Sequence, residues 1–117
     1  MTYVQGFVAA VPADKKDAYI AHTRQAAELF LEWGATRCME NWGDFVPVGK
    51  LTDFQRAVQA KDNEVIVFSW VEYPDKATCE AATDKMMTDP RMENMEMPFD
   101  AARMIYGGFD TVLDLGK

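Results

Sequence analysis

Histidine is almost missing from this sequence, with His22 the single example in 117 residues, and cysteine is limited to Cys38 and Cys79. One imidazole and two distant thiols outside any Cys-x-x-Cys spacing cannot complete a tetrahedral zinc set. The sequence therefore predicts no metal and no cofactor. Positive charge is short as well, 12 Lys and Arg against 19 Asp and Glu, for a net charge of −7. An acidic surface repels phosphate backbones and anionic headgroups, which argues against nucleic acid and membrane as partners. No apolar run is long enough to span a bilayer. Met1–Val11 alternates like a strand and does not read as a basic segment followed by an apolar one, so the expected location is the cytoplasm. There is no internal repeat, no low-complexity tract and no recognisable catalytic motif. The glycines of the turn-rich run Gly43–Lys50 lack phosphate-loop spacing.

What the chain does have is Glu64-Val65-Ile66-Val67-Phe68-Ser69-Trp70-Val71-Glu72-Tyr73. It is rich in β-branched and aromatic residues, free of glycine, and stopped by Pro74, so it predicts a strand. Its period of two puts Val65, Val67, Ser69, Val71 and Tyr73 on one face. Ile66, Phe68 and Trp70 fall on the other, with Glu64 and Glu72 at the ends. Both faces are apolar in the middle and both need cover. A chain of this length suffices for one domain, residues 1–117, with a real core.

The neighbouring segments supply the rest of the architecture. Tyr3–Val11 predicts a first strand ended by Pro12, and Asp14 caps a helix running to Trp33, with Gly34 as its left-handed stop. Tyr19, His22, Thr23, Ala26, Phe30 and Trp33 share one stripe of that helix. Ala35–Trp42 predicts a second strand, weakened by Glu40 and Asn41. Pro47-Val48-Gly49 suits a turn with positive φ at Gly49. Thr52-Asp53-Phe54-Gln55 has capping-box spacing ahead of a short helix. Asp75 caps a second main helix to Thr88, and Asp89-Pro90 restarts a turn through Met95. Arg103–Leu115 predicts the last strand, where Gly107-Gly108 marks a bulge or a close approach.

The order β-α-β-β-α-β is that of an α+β, ferredoxin-like sandwich, with the first and third strands central and both helices on one face. The other face is left bare and apolar. A second copy of the same sheet is the economical cover, which predicts a face-to-face homodimer. RNA-recognition motifs share this order, but they carry a basic-Gly-aromatic signature with stacking aromatics on the third strand. Here that strand has acidic ends and β-branched filling, which disfavours RNA binding.

Four runs resemble the DUF1428 family: Tyr3-Val4-x-Gly6-Phe7-Val8; Val67-Phe68-Ser69-Trp70; Asp89-Pro90-Arg91-Met92; and Met97-Pro98-Phe99-Asp100-x-x-Arg103-Met104-Ile105-Tyr106-Gly107-Gly108-Phe109. The resemblance covers essentially the whole chain, and the last run is its most specific part. It implies the dimeric α/β-barrel superfamily, which includes cofactor-free monooxygenases, haem-degrading enzymes, lactone isomerases and ligand-sensing modules. The family brings no established activity, so the resemblance constrains shape more than chemistry.

Six residues are candidates for a small-molecule site: His22, Arg56, Trp70, Asp100, Arg103 and Tyr106. His22 lies on an apolar helix stripe, where a buried imidazole moves protons or merely fills the stripe's edge. Arg56 and Arg103 would hold an organic anion with Asp100 orienting one of them; alternatively, Asp100 pairs locally with Arg103 or caps the turn before the last strand. Trp70 and Tyr106 would wall the pocket or serve as core and interface anchors. Six of the eight methionines lie between Met86 and Met104, a composition suited to gap-filling in a core or a dimer seam. Cys38 and Cys79 read as small buried residues. The expected function is a homodimeric barrel binding a small organic or anionic molecule, either as a cofactor-free oxygenase- or isomerase-like enzyme or as a ligand-sensing module.

Overall fold

The computed structural model describes residues 2–117. Four strands, β1 (Tyr3–Pro12), β2 (Arg37–Trp42), β3 (Glu64–Tyr73) and β4 (Ile105–Asp110), form one antiparallel sheet in the order β2-β3-β1-β4. The helices are α1 (Lys16–Glu32), α2 (Phe54–Ala57), α3 (Lys76–Thr88) and α4 (Pro90–Glu93). The α+β ferredoxin-like architecture follows, with β1 and β3 in the centre. Their ten-residue ladder runs from Tyr3 opposite Tyr73 to Pro12 opposite Glu64. Each central strand must therefore bury residues on both faces.

On the helical face, Ala26, Leu29 and Phe30 of α1, with Trp33 just past its end, close over Val71 and Tyr73 of β3, joined by Cys79 and Ala82 of α3 and Met92 of α4. The opposite face is not left wholly bare. The long β2–β3 connection folds back so that Val58, with Val46 and Ala60, packs on Val8, Ala10 and Ile66. That cover reaches one end only. Ile66 is 5% exposed, whereas Phe68 is 45% and Phe109 62%. Leu51 in the connection, at 92%, and Val112, Leu113 and Leu115 beyond β4 also stand in solvent.

Local chemistry sets most element ends. Asp75 accepts from the Thr78 amide at 2.8 Å and Asp89 from the Arg91 amide at 2.8 Å, opening α3 and α4. Gly34 ends α1 at φ +110°, a region costly for other residues. Several expectations shift. α1 begins at Lys16, because Pro12 stays in the strand and Ala13–Lys15 winds a 3-10 turn; Asp14 lies in that turn, and α1 has no side-chain cap. The cap of α2 is Asp53, whose carboxylate accepts from the Arg56 amide at 2.8 Å, while the Gln55 side chain donates to the Val46 carbonyl. Gly49 does not adopt positive φ; a Cβ there would collide with the Thr52 carbonyl. β4 is shorter than Arg103–Leu115. Ala101–Arg103 is wound into a 3-10 turn, and beyond Asp110, which pairs with Tyr3, β1 offers no further strand partner. Its register through Gly107 and Gly108 is unbroken, and the Tyr3 ring occupies the space a Gly108 side chain would need.

Candidate functional site

A cavity of about 80 Å³ lies between the sheet and α1. It exists because small residues face one another there, Ala9 of β1, Ala26 of α1 and Ser69 of β3, between the larger Phe7 and Phe30. Met86 and Met92 close one side, and Met97, Phe99 and Met104 of the segment before β4 close another. The clustered methionines thus line a void, where flexible thioethers adapt to a variable occupant. A water molecule needs only ~10–15 Å³ of such space, so there is room for several waters or a small organic molecule.

Five polar side chains break the apolar lining: Tyr19, His22, Thr23, Glu40 and Ser69. The Tyr19 hydroxyl donates to Glu40 Oε1 at 2.6 Å. Glu40 stands on the edge strand β2 directly opposite Ser69 of β3. Taken as a whole Glu40 is exposed, yet its carboxyl end is crowded by protein; ionisation follows the crowding around the charge. Burial accordingly pushes the Glu40 carboxyl above the usual carboxylate range, and hydrogen bonds from Tyr19 and Ser69 only partly offset it. Burial, and then the neighbouring Glu40 charge, push the Tyr19 phenol up. Burial lowers His22, with the Glu96 backbone pulling the other way, so the imidazole favours its neutral form. Its Nδ1 is enclosed and has no hydrogen-bond partner among the described residues. Tyr19 is the hub of the packing, its ring centroid 6.5 Å from His22, 6.1 Å from Trp42 and 6.0 Å from Phe99.

Of the six residues proposed from sequence, only His22 lines this cavity. Arg103 donates to both carboxylate oxygens of Glu64, at 2.8 and 2.7 Å, and to the Gln59 carbonyl at 2.9 Å. Asp100 accepts from Arg103 Nε at 3.0 Å and from the Ala102 amide at 3.0 Å, capping the 3-10 turn. Arg56 is tied to the Gly49 carbonyl at 3.2 Å and to Asp53 at 3.5 Å, inside the β2–β3 connection. Both guanidinium groups are thus engaged by the chain itself and do not converge as an anion clamp. Trp70 stands on the uncovered sheet face, its indole N–H on Glu72 at 3.0 Å. Tyr106 stacks on Phe7 at 6.1 Å and borders a separate groove with Tyr3, Gln5 and Thr83. The residues sequence reasoning missed are Tyr19 as a proton donor, Glu40 and Ser69. A signal for Glu40 was present. It alternates with Cys38 and Trp42, so it shares their face.

The family model described as "Protein of unknown function (DUF1428)" matches residues 2–101. The uncharacterized protein YbaA of Escherichia coli K12 is 58% identical over 116 residues, spanning 97% of this chain and 99% of the relative; YbaA of Shigella flexneri matches to the same extent. Among solved structures, a dimeric ferredoxin-like protein from an uncultured marine organism aligns with a TM-score of 0.61 at 14% identity, covering 97% of this chain and 98% of that one. SnoaB, a cofactor-independent oxygenase from Streptomyces nogalater, aligns with a TM-score of 0.51 at 15% identity, covering 99% and 98%. Identities this low speak to fold alone.

Proposed function

Since the chain belongs to the DUF1428 family, we propose that it is a homodimeric barrel that binds a small, largely apolar organic molecule in the cavity between α1 and the sheet. The observation that carries this reading is the cavity itself. Its walls are apolar, and its few polar groups, Tyr19, Glu40, His22 and Ser69, converge on one space. That is the composition of a ligand pocket.

The homodimer is supported by the uncovered end of the sheet. Phe68, Ile105 and Phe109 on that face, with Phe45, Val48 and Leu51 of the connection and Val112, Leu113 and Leu115 of the tail, expose apolar surface that one copy cannot bury. The solved neighbour described as a dimeric ferredoxin-like protein fits the same arrangement. An obligate interface of this kind buries on the order of 2,000 Å² or more. No helix among the described residues is long and apolar enough to cross a membrane.

Native mass spectrometry of freshly purified protein tests both parts. The expected species is a dimer carrying additional organic mass that Ala26→Phe, filling the cavity, removes. A folded monomer at micromolar concentration would refute the dimer. Bound mass that survives Ala26→Phe would place the ligand elsewhere.

A further inference from the structure

Resting on that ligand-binding reading, we propose that the Tyr19–Glu40 pair, with His22 beside it, is a proton-transfer site for a molecule bearing one weakly acidic hydroxyl, a phenol or an enol. Three observations meet in the geometry. Tyr19 holds Glu40 through a 2.6 Å bond, which fixes the carboxyl group at the cavity wall. Among the described residues no cation pairs with it: Tyr19 and His22 come from α1, Ser69 from β3 and Cys38 from its own strand, while the segment before β4 presents Met97, Phe99 and Met104. The nearby Lys16 ammonium lies over the Trp42 ring, 5.6 Å from its centroid. Finally, His22 Nδ1 lies enclosed without a partner among the described residues. A buried polar atom of that kind is a standing cost that a bound polar group relieves.

The proton balance closes within the site. The ligand hydroxyl gives its proton to the Glu40 carboxylate, leaving a neutral carboxylic acid and a ligand oxyanion. The Tyr19 hydroxyl, no longer drawn to a negative Glu40, turns its O–H to that oxyanion. Neutral His22 offers a second hydrogen-bonding group without adding charge. The site holds one negative charge before and after the transfer, relocated from Glu40 to the ligand. No oxidant or metal takes part. Such a carboxyl group works best when its affinity for protons is drawn toward neutrality, and burial of Glu40 acts in that direction.

The probe is 4-nitrophenol, whose neutral and ionised forms absorb at different wavelengths. At a pH where the free probe is protonated, probe bound to the wild-type protein should show the phenolate band. In Glu40→Gln the probe should still bind, while the phenolate fraction falls roughly tenfold, the change expected for about one pK unit. Tyr19→Phe should also reduce the band, because the oxyanion loses its donor. Circular dichroism of both variants checks that the fold is kept. Equal phenolate bands in wild type and Glu40→Gln would overturn the proton-transfer proposal and leave the binding reading standing. No binding by wild type at millimolar probe would overturn both.

Discussion

Glu40 and Glu64 are the same residue on adjacent strands of one sheet, and their surroundings drive them in opposite directions. Glu64 accepts two hydrogen bonds from the Arg103 guanidinium and one from the Lys61 amide at 2.7 Å, and its carboxyl is held down at about 2. Among the described residues Glu40 has no cationic partner, only a phenol and a serine hydroxyl, and burial moves it upward. The first corner is saturated. It closes the chain at the start of β3 and has no free valence for a ligand. The second is under-satisfied and opens on a void. Function is to be sought where the polar groups are not already used by the fold.

Breaking the saturated corner should give the largest effect. Arg103→Met leaves Glu64, whose side chain is 5% exposed, without its cation. The expected loss in Tm at neutral pH is roughly 5–10 °C. Because the folded carboxyl is depressed, its contribution is present above the unfolded value and lost on acidification. The gap between variant and wild type in thermal melts should therefore close as the pH falls from 4.5 toward about 2. A gap that persists in acid would mean the arginine acts through packing alone.

The cavity corner should respond less. Tyr19→Phe removes one buried hydrogen bond and should cost ~1 kcal/mol in urea denaturation. Because that bond partly offsets the burial of Glu40, its loss should drive the Glu40 titration further up. An unchanged midpoint would show that the 2.6 Å bond does not form in solution.

The smallest effect has the opposite sign. A carboxyl whose folded affinity for protons is raised favours the folded state in acid, and this advantage is lost as the pH rises through its folded midpoint. Glu40→Gln keeps an acceptor for Tyr19 and removes the charge. It should melt slightly higher than wild type at neutral pH and at the same temperature in acid. A lower Tm at neutral pH would contradict the assignment of Glu40 as a strained, functional carboxylate.

Much of the fold is legible in sequence because its signals are local. The alternation of Glu64–Tyr73 assigns the two faces of β3 correctly, and the cap Asp75 acts within three residues of itself. The extent of β4 is less so, since a strand ends where its partner ends, and Tyr3 of β1 lies at the far end of the chain from Asp110. The site was the least legible part. His22 sits on the expected stripe, but Tyr19 and Glu40 are 21 residues apart and meet only once α1 folds over β2. Arg103 and Glu64, separated by 39 residues, find each other in the same way, turning an apparent anion clamp into a structural pair. Spacing alone cannot show which charges a fold will neutralise internally.

The most direct measurement is a pH titration of the glutamate side-chain carboxyl resonances in the wild-type protein, with Glu64 as internal reference. Glu40 should titrate above 4.5 and Glu64 near about 2, a separation set by one environment that denies the charge a partner and one that supplies it. Coincident midpoints in the ordinary carboxylate range, or Glu40 below Glu64, would contradict the cavity as a site built to move a proton.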